Sequence, residues 1–270
     1  MSDKERLDIL LTEKNFFDSR ARAKTMIMMG KILVNGQKID KAGSLVSRDA
    51  EIRILGEEMP FVSRGGFKLD KAVKFFGLDL NGKIAADIGA STGGFTDCML
   101  QNGAKKIYAV DVGYGQLAWK LRQDERVVNL ERTNIRNVTE KEIPELLDFV
   151  SIDVAFISLE KVLPVVFDLI KDGGEIVALI KPQFEAGREN VGKKGVVKDK
   201  KIHEEVIRRI LNFAKEIGFE IRGLDFSPVK GPEGNIEYLA YLAKSLHRVE
   251  YSIEEKITAT VERSHKELNG

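Results

Sequence analysis

The fold of this chain is decided by one segment, Ala85-Ala86-Asp87-Ile88-Gly89-Ala90-Ser91-Thr92-Gly93-Gly94-Phe95. Its first residues end a short apolar run that is typical of a buried strand, and its glycines open a helical pattern that continues to Gln101. Small residues at such a junction let a ligand approach the backbone, while the N–H groups of the helix face it. The segment therefore predicts a site for a nucleotide-type cofactor at the end of a strand.

The spacing of the glycines separates this loop from the common phosphate-binding loops. It reads G-x-x-x-G-G from Gly89 to Gly94, where dinucleotide-binding proteins have G-x-G-x-x-G. The G-x-x-x-x-G-K-[ST] loop that cradles nucleotide phosphates does not occur in the sequence. A cofactor without phosphate groups is the better match, and a dinucleotide-dependent dehydrogenase is the weaker alternative.

Buried apolar runs alternate with helical patterns downstream of this loop. Strands are predicted at 84–88, 106–112, 127–130, 149–154 and 175–181, and helices at 92–101, 116–123, 159–170 and 201–218. Two more strands, near 220–229 and 236–243, have no helical pattern between them. We therefore predict an α/β fold, a doubly wound parallel sheet with an antiparallel hairpin at one edge.

A smaller domain of short elements precedes this sheet. Helices are predicted at 7–14 and 19–29, with Ser19 as the N-cap of the second. Asn35-Gly36 joins strands at 32–34 and 37–39 as a tight hairpin, and short strands follow near 46 and at 51–55. Because Pro60 and Gly65-Gly66 interrupt regular structure, the expected division is a domain at 1–60, a linker at 61–66, a domain at 67–245 and a charged helical extension at 246–270.

The totals restrict the function classes. The 270 residues are 43% hydrophobic and 31% charged with a net charge of +1, so any nucleic-acid binding must come from local patches. Cys98 is the single cysteine, which fits a reducing compartment, and the three histidines lack the spacing of metal ligands. With neither a signal peptide nor an apolar run of about 20 residues, we expect a cytoplasmic protein without a metal.

The sequence resembles a known family. Its larger domain is similar to the RrmJ/FtsJ-type RNA ribose 2′-O-methyltransferases, and residues 6–243 resemble the TlyA family, some of whose members were once named haemolysins. The N-terminal stretch is similar to the S4-type RNA-binding domain at Arg6-Leu7-Asp8, Ser19-Arg20, Ala23, Gly30 and Val34-Asn35-Gly36. The resemblance implies a seven-stranded Rossmann-like methyltransferase domain, S-adenosylmethionine as cofactor, and ribosomal RNA or ribosomal subunits as partner.

The cofactor site would combine the glycine loop with polar residues at strand ends. Asp87 can face the positive end of the cofactor, Asp111 the ribose hydroxyls, and Asn134 the adenine edge. Taken alone, the two acids are as readily turn and cap residues. The full set of expected cofactor-binding residues is Asp87, Gly89, Ala90, Ser91, Thr92, Gly93, Gly94, Phe95, Asp111, Asn134 and Asp153.

The resemblance also implies a Lys–Asp–Lys–Glu tetrad, carried here by Lys68 in SRGGFKL, Asp153 in SIDVAF, Lys181 in LIKPQF and Glu237 in GNIEYL. A ribose 2′-hydroxyl is a very weak acid and must lose its proton as it attacks a methyl group. We expect Lys181 to orient and deprotonate it, with a pKa lowered by burial or by the charge of Lys68. Asp153 and Glu237 would hold the two ammonium groups.

Basic residues cluster in two places although the net charge is small. Residues 19–39 hold five Lys or Arg and no acid, and residues 181–201 hold seven against three acids, with three glycines. These stretches predict phosphate contacts and a mobile loop that closes over RNA, with solvated surfaces as the plain alternative. Phe156 and Phe184 can stack on a flipped nucleotide or pack in the core. The expected RNA-binding residues are Arg6, Arg20, Arg22, Lys24, Lys31, Arg64, Arg188, Lys193 and Lys194.

The expected function is 2′-O-methylation of cytidine in ribosomal RNA. Base methylation is a weaker hypothesis, because Cys98 lies within a predicted helix and the Asn/Asp-Pro-Pro-Tyr signature of amino-group methylation is missing. An RNA-binding protein that binds cofactor without turnover stays open as an alternative. So does a membrane-active haemolysin-like protein, although no segment has the amphipathic pattern that inserts into a bilayer.

Overall fold

The computed structural model describes residues 4–14, 16–17, 19–55, 60–245 and 253–269. The chain divides into two compact units, Met1–Pro60 and Phe61–Gly270. The start of the predicted extension, at 246–252, lies outside the described residues.

The described part of the first unit has two helices and five three-residue strands: β1 (Lys4–Arg6), α1 (Leu7–Glu13), α2 (Arg20–Met28), β2 (Ile32–Val34), β3 (Gln37–Ile39), β4 (Leu45–Ser47) and β5 (Ile52–Ile54). β2 pairs antiparallel with β3 and β5, and β1, which the sequence did not predict, pairs with β4. Ser19 caps α2 by accepting a hydrogen bond from the Arg22 N–H, as predicted. Asn35 and Gly36 have φ angles of +50° and +78°, which the predicted two-residue hairpin turn requires.

The second unit is a seven-stranded sheet with helices on both faces. Its elements are α3 (Gly65–Phe76), β6 (Ile84–Ile88), α4 (Gly94–Gln101), β7 (Lys106–Val110), α5 (Trp119–Arg122), β8 (Val127–Leu130), β9 (Leu147–Ile152), α6 (Leu163–Leu169), β10 (Ile170–Ile180), α7 (Pro182–Glu185), α8 (Lys200–Glu216), β11 (Phe219–Phe226), β12 (Tyr238–Lys244) and α9 (Glu254–Asn269). The strand order is β11-β12-β10-β9-β6-β7-β8. β12 runs antiparallel to both neighbours and the other pairs are parallel, so the predicted fold and edge hairpin are confirmed.

The core lies on both faces of this sheet. On one face α3 and α4 contribute apolar side chains such as Leu69, Phe95 and Met99. On the other face α8 contributes Ile207 and Leu211. Ile257 and Val261 of α9 are also buried there, so the C-terminal helix, to which the sequence assigns no role, completes the core of the second unit.

Two predicted helices are shorter in the structure. The pattern at 159–170 is split into a 3-10 turn, Leu159–Lys161, and α6, because Pro164 has no N–H to continue the first helix and is best accommodated in the first turn of a new one. The pattern at 116–123 forms only the single turn of α5.

The glycines expected to allow a bend at 61–66 have a packing role instead. Gly65 and Gly66 are the first residues of α3, and Phe61 is already part of the core. A Cβ on Gly94 would lie 2.7 Å from the Gly66 nitrogen, and one on Gly66 would lie 2.3 Å from the Phe61 ring. These small residues therefore let α3 and α4 approach each other closely.

The glycine loop is held by Asp87 at the end of β6. The carboxylate is 1% exposed and accepts hydrogen bonds from the Thr96 N–H at 2.8 Å, the Thr96 hydroxyl at 2.7 Å and the Ser151 hydroxyl at 3.3 Å. Both carboxylate oxygens of Asp87 thus accept hydrogen bonds from α4 and β9, and contact of Asp87 with the cofactor stays a prediction. Asp87 ties the first turn of α4 to two central strands.

The protonation of Asp87 links the stability of this loop to pH. Burial raises the pKa of Asp87 to about 7, although the hydrogen bonds from Thr96 and Ser151 oppose the shift. A carboxyl with a higher pKa in the folded chain than in the unfolded chain stabilises the fold in its protonated form. Its contribution is full below about pH 4 and is lost as the pH rises toward 7.

We expect Asp87→Asn to remove this part of the pH dependence, because the amide cannot ionise. The free energy of unfolding of the variant should rise relative to that of the wild type as the pH increases from about 4 to 7.5. Urea unfolding across this range measures it, with Asp79→Asn as the control at an exposed position. A difference between Asp87→Asn and the wild type that stays constant with pH would contradict the assignment.

Candidate active site

A cavity of about 660 Å³ opens where β6, β7, β8 and β9 end. In an open α/β sheet, the crevice outside the carboxyl ends of the strands is the usual ligand site. Five of the predicted cofactor-binding residues line it: Gly89, Ser91, Asp111, Asn134 and Asp153.

Asp111 connects the loops on one side of this cavity. Its carboxylate accepts hydrogen bonds from the backbone N–H groups of Ser91 and Gly113, both at 2.7 Å. Asn134 caps the 3-10 turn Ile135–Asn137, and its side-chain oxygen accepts from the Arg136 N–H at 3.1 Å. The lining therefore offers a carboxylate, an amide and hydroxyls, which suit a ligand with hydroxyl and amine groups.

The other predicted cofactor residues shape the loop without lining the cavity. α4 begins at Gly94, and Phe95 in its first turn packs in the core. A Cβ on Gly93 would lie 2.3 Å from Leu121. The cavity lining also excludes Ala90 and Thr92, whose backbone groups bind Val110 and Ala118.

The four predicted tetrad side chains meet beside this cavity. The Lys68 ammonium lies 2.7 Å from Glu237 Oε2 and 3.2 Å from Asp153 Oδ2. Lys181 Nζ lies 2.5 Å from Asp153 Oδ1. Asp153 therefore stands between two ammonium groups. Asp153, Lys181 and Glu237 lie near predicted strand boundaries, and Lys68 lies in α3.

The charges of this tetrad are mutually stabilised. Burial alone would lower the pKa of Lys68, but Asp153 and Glu237 outweigh that effect and raise it. Burial would likewise raise the pKa of Asp153, and Lys181 and Lys68 outweigh it so that the pKa is lowered. Lys68 and Asp153 therefore stay charged over the physiological range of pH.

A second cavity, of about 740 Å³, is lined by two residues of this tetrad. Lys181 and Glu237 line it together with Gln183, Arg188 and other residues of the neighbouring loops. Two aromatic side chains, Phe156 and Phe184, line both this cavity and the cavity of about 660 Å³, which we call the cofactor cavity. Their ring centroids are 4.8 Å apart.

Phe156 is not a core residue. Its side chain is 90% exposed, and its φ angle of +62° is uncommon for a bulky residue. A large apolar ring that faces solvent from a strained backbone at the border of two cavities fits contact with a ligand better than packing does.

Sequence reasoning missed three residues of the site. Gln183 donates a hydrogen bond to Glu237 Oε1 at 3.3 Å, and its position in KPQF, two residues after Lys181, was a usable signal. Arg136 and Lys161 line the cofactor cavity, but both lie in short 3-10 turns that no periodic pattern marks.

The basic residues of the first unit surround a buried acid. Asp8 has a fully buried carboxylate that pairs with Arg20 at 2.9 Å, Arg6 at 3.0 Å and Lys24 at 3.9 Å. A hydrogen bond from Arg6 lowers the pKa of Asp8 to about 2, against the effect of burial. The positive charge of residues 19–39 is thus partly neutralised by Asp8 of α1. The side chains of Arg6, Arg20 and Lys24 are nevertheless about half exposed.

The remaining predicted RNA-binding residues lie on the surface. Arg22 and Lys31 are half-buried, and four others are exposed: Arg64, Arg188, Lys193 and Lys194. The loop that carries the last three is fastened at its end, because Asn235 accepts a hydrogen bond from the Val197 N–H and donates one to the Gly195 carbonyl. Closure of this loop over RNA stays a prediction.

Within the described ranges, no helix combines the length and the apolar character that a membrane crossing needs.

Comparison with known proteins agrees with this geometry. The family model described as "FtsJ-like methyltransferase" matches residues 61–244, and the model described as "S4 domain" matches residues 5–52. The chain is 50% identical over 271 residues to "Putative rRNA methyltransferase YqxC" of Bacillus subtilis, which covers 99% of this chain and 96% of that protein. It is 40% identical over 249 residues to "16S/23S rRNA (cytidine-2'-O)-methyltransferase TlyA" of Mycobacterium tuberculosis, covering 92% of this chain and 93% of that protein.

A solved structure described as "Putative hemolysin from Streptococcus thermophilus" is similar over the full length. It has a TM-score of 0.80 and 46% identity, and it covers 100% of this chain and 98% of that one. Since both domain models and the full-length relatives match in the same order, the chain belongs to the TlyA family, in which an S4 domain precedes an FtsJ-like methyltransferase domain.

Proposed function

We propose that this protein transfers a methyl group from S-adenosylmethionine to the ribose 2′-hydroxyl of a cytidine in ribosomal RNA, in the cytoplasm. The observation that carries the proposal is the position of Asp153, which lines the cofactor cavity and also pairs with Lys181 in the adjoining cavity. Two relatives support the substrate, because their names describe cytidine-2′-O-methyltransferases of ribosomal RNA at 40% and 34% identity.

The cofactor cavity fits S-adenosylmethionine. Asp111 offers a carboxylate for the ribose hydroxyls, and Asn134 offers an amide for the adenine. The loop at Gly89 approaches β9 so closely that a Cβ would lie 2.5 Å from the Asp153 carbonyl, so the cofactor can rest against backbone. When bound, the cofactor supplies a methyl group activated by a positively charged sulfur.

Lys181 is the group that handles the target hydroxyl. Lys68 has two carboxylate partners, Asp153 and Glu237, whereas Lys181 shares Asp153 with it. Lys68 is therefore the better compensated cation and keeps its proton. Lys181 can orient the 2′-oxygen by a hydrogen bond, and such positioning contributes a large part of the rate. To act as the base, Lys181 would first release its own proton to solvent; the neutral amine would then accept the hydroxyl proton as the oxygen bonds to the methyl carbon and the bond from that carbon to sulfur breaks.

Several residues would hold the RNA. Phe156 and Phe184 border the cavity of Lys181, where an aromatic ring can stack on a nucleotide turned out of its helix. Arg6 and Arg20, oriented by Asp8, present guanidinium groups that suit phosphates. Arg22, Lys24, Lys31, Arg64 and Arg188 add positive charge at the surfaces of the two units.

We expect Lys181→Met to reduce methyl transfer by at least about 100-fold, because the apolar side chain can neither orient nor deprotonate the hydroxyl. The affinity for S-adenosylmethionine should change little. The measurement uses methyl-labelled cofactor with unmodified ribosomal RNA, and Lys141→Met, at an exposed position, is the control. In the wild type, the label should make one ribose position resistant to alkaline cleavage. Label in a base, or full activity of Lys181→Met, would contradict the mechanism.

We expect Glu237→Gln to make methyl transfer sensitive to high pH. With Glu237 neutralised, burial of Lys68 is opposed by Asp153 alone, so the pKa of Lys68 falls. The rate relative to the wild type should be lower by roughly tenfold at neutral pH and should decline further as the pH rises toward 9. Rates measured as a function of pH, with Glu140→Gln as an exposed control, test this; a ratio to wild type that is independent of pH would count against it.

A further inference from the structure

A third cavity of the second unit, of about 760 Å³, is strongly basic and contains no tetrad residue. We call it the lysine cavity. Its ionisable lining residues come from the loop before α8, the loop between β11 and β12, and α9: Lys193, Lys194, Lys198, Lys230, Glu233 and His265. Among the described residues that line it, Glu233 is the one acid against four lysines.

The lysine cavity adjoins the cavity that contains Lys181. Glu233 lines both. The loop at 187–198 forms a shared wall, because its residues alternate between the two linings: Gly187, Arg188, Val191 and Gly195 line the Lys181 cavity, whereas Asn190, Gly192, Lys193 and Lys194 line the lysine cavity. A chain-like ligand that leaves the first cavity across this wall would enter the second.

Hydrogen bonds hold the loop that forms this wall in place at Gly195 and Val197. Asn235 is 2% exposed and fastens the loop through the Val197 N–H at 3.0 Å and the Gly195 carbonyl at 2.8 Å. The buried ring of His203 adds a contact between Nε2 and the Val197 carbonyl at 3.0 Å. Lys193, Lys194 and Lys198 are exposed, but the loop that carries them is anchored to α8 and to the segment before β12, and Lys230 is half-buried.

The charges of the lysine cavity favour an anionic ligand. Its described lining carries four ammonium groups against one carboxylate, so the cavity has a net positive charge that attracts anions. Burial, together with the charges of Lys200 and Lys230, lowers the pKa of His265, although Asp199 opposes the shift.

We propose that the lysine cavity binds a phosphodiester group of the RNA strand next to the nucleotide that occupies the Lys181 cavity. This inference rests on the proposed function, because an RNA substrate carries a phosphate on each side of every target ribose. Contacts between lysine and phosphate carry no sequence information, so the site contributes to affinity independently of sequence. A free anion such as inorganic phosphate has the same chemistry and is distinguished by the test.

The test compares Lys194→Gln/Lys230→Gln, which removes one charge from each of two segments, with Lys105→Gln/Lys141→Gln. The control residues are exposed and precede β7 and β9. Equilibrium binding of an unmodified ribosomal RNA fragment is measured over a series of salt concentrations. We expect the first pair to weaken binding roughly tenfold and to reduce the salt slope by about 0.7 for each phosphate that the protein no longer neutralises. The control pair should change the affinity by less than about twofold.

Arginine variants and cofactor binding separate the loss of charge from other effects of the substitutions. Lys194→Arg/Lys230→Arg should retain the affinity and slope of the wild type, and cofactor affinity should be unchanged in every variant. Equal affinities and slopes for the two glutamine pairs would overturn the proposal. So would inorganic phosphate that saturates the wild type without weakening RNA binding. If the wild type transfers no methyl group while the salt slopes still differ as expected, the proposed function fails and the RNA-phosphate site stands.

Discussion

The carboxylate of Asp153 pairs with the ammonium groups of both Lys68 and Lys181, and the site depends on this contact. Removing an ion from water costs several kcal/mol, which only close opposite charges offset. Without Asp153, Lys68 would have Glu237 alone and Lys181 would lose its partner, so two cations would face each other in a partly buried site. The four charges therefore hold their arrangement only as a set, and they meet only when α3 and three separate strands have assembled.

The order of the strands determines where this set lies. β9 is placed between β6 and β10, so Asp153 after β9 is flanked by the glycine loop on one side and by Lys181 on the other. The Asp153 N–H donates to the Ile88 carbonyl at 2.9 Å, and Gly89 contacts the Asp153 backbone so closely that no side chain would fit. The cavity for a methyl donor and the cavity for its acceptor are neighbours because these strands are neighbours.

The parts of this arrangement that follow local patterns were predictable. Alternating apolar runs indicate parallel strands, and the carboxyl ends of such strands meet at one edge, so polar residues after them could be assigned to one site. Contacts between distant segments leave no such pattern. The sequence does not show that Asp87 accepts a hydrogen bond from Ser151, or that Asp8 pairs with the basic residues of α2. Nor does it show that Gly66 and Gly94 allow α3 and α4 to approach each other. The lysine cavity combines three such segments, and of these the sequence marked only the basic stretch at 181–201.

The proposed methyl transfer requires Lys181 to contact the oxygen that receives the methyl group. A structure of the protein with an unreactive analogue of S-adenosylmethionine and an RNA that contains the target cytidine would show this contact. We expect the 2′-oxygen to lie about 2.6–3.2 Å from Lys181 Nζ, with the cofactor analogue in the cavity lined by Asp111 and Asn134. A base atom at that position, or a ribose that lies outside the Lys181 cavity, would contradict it.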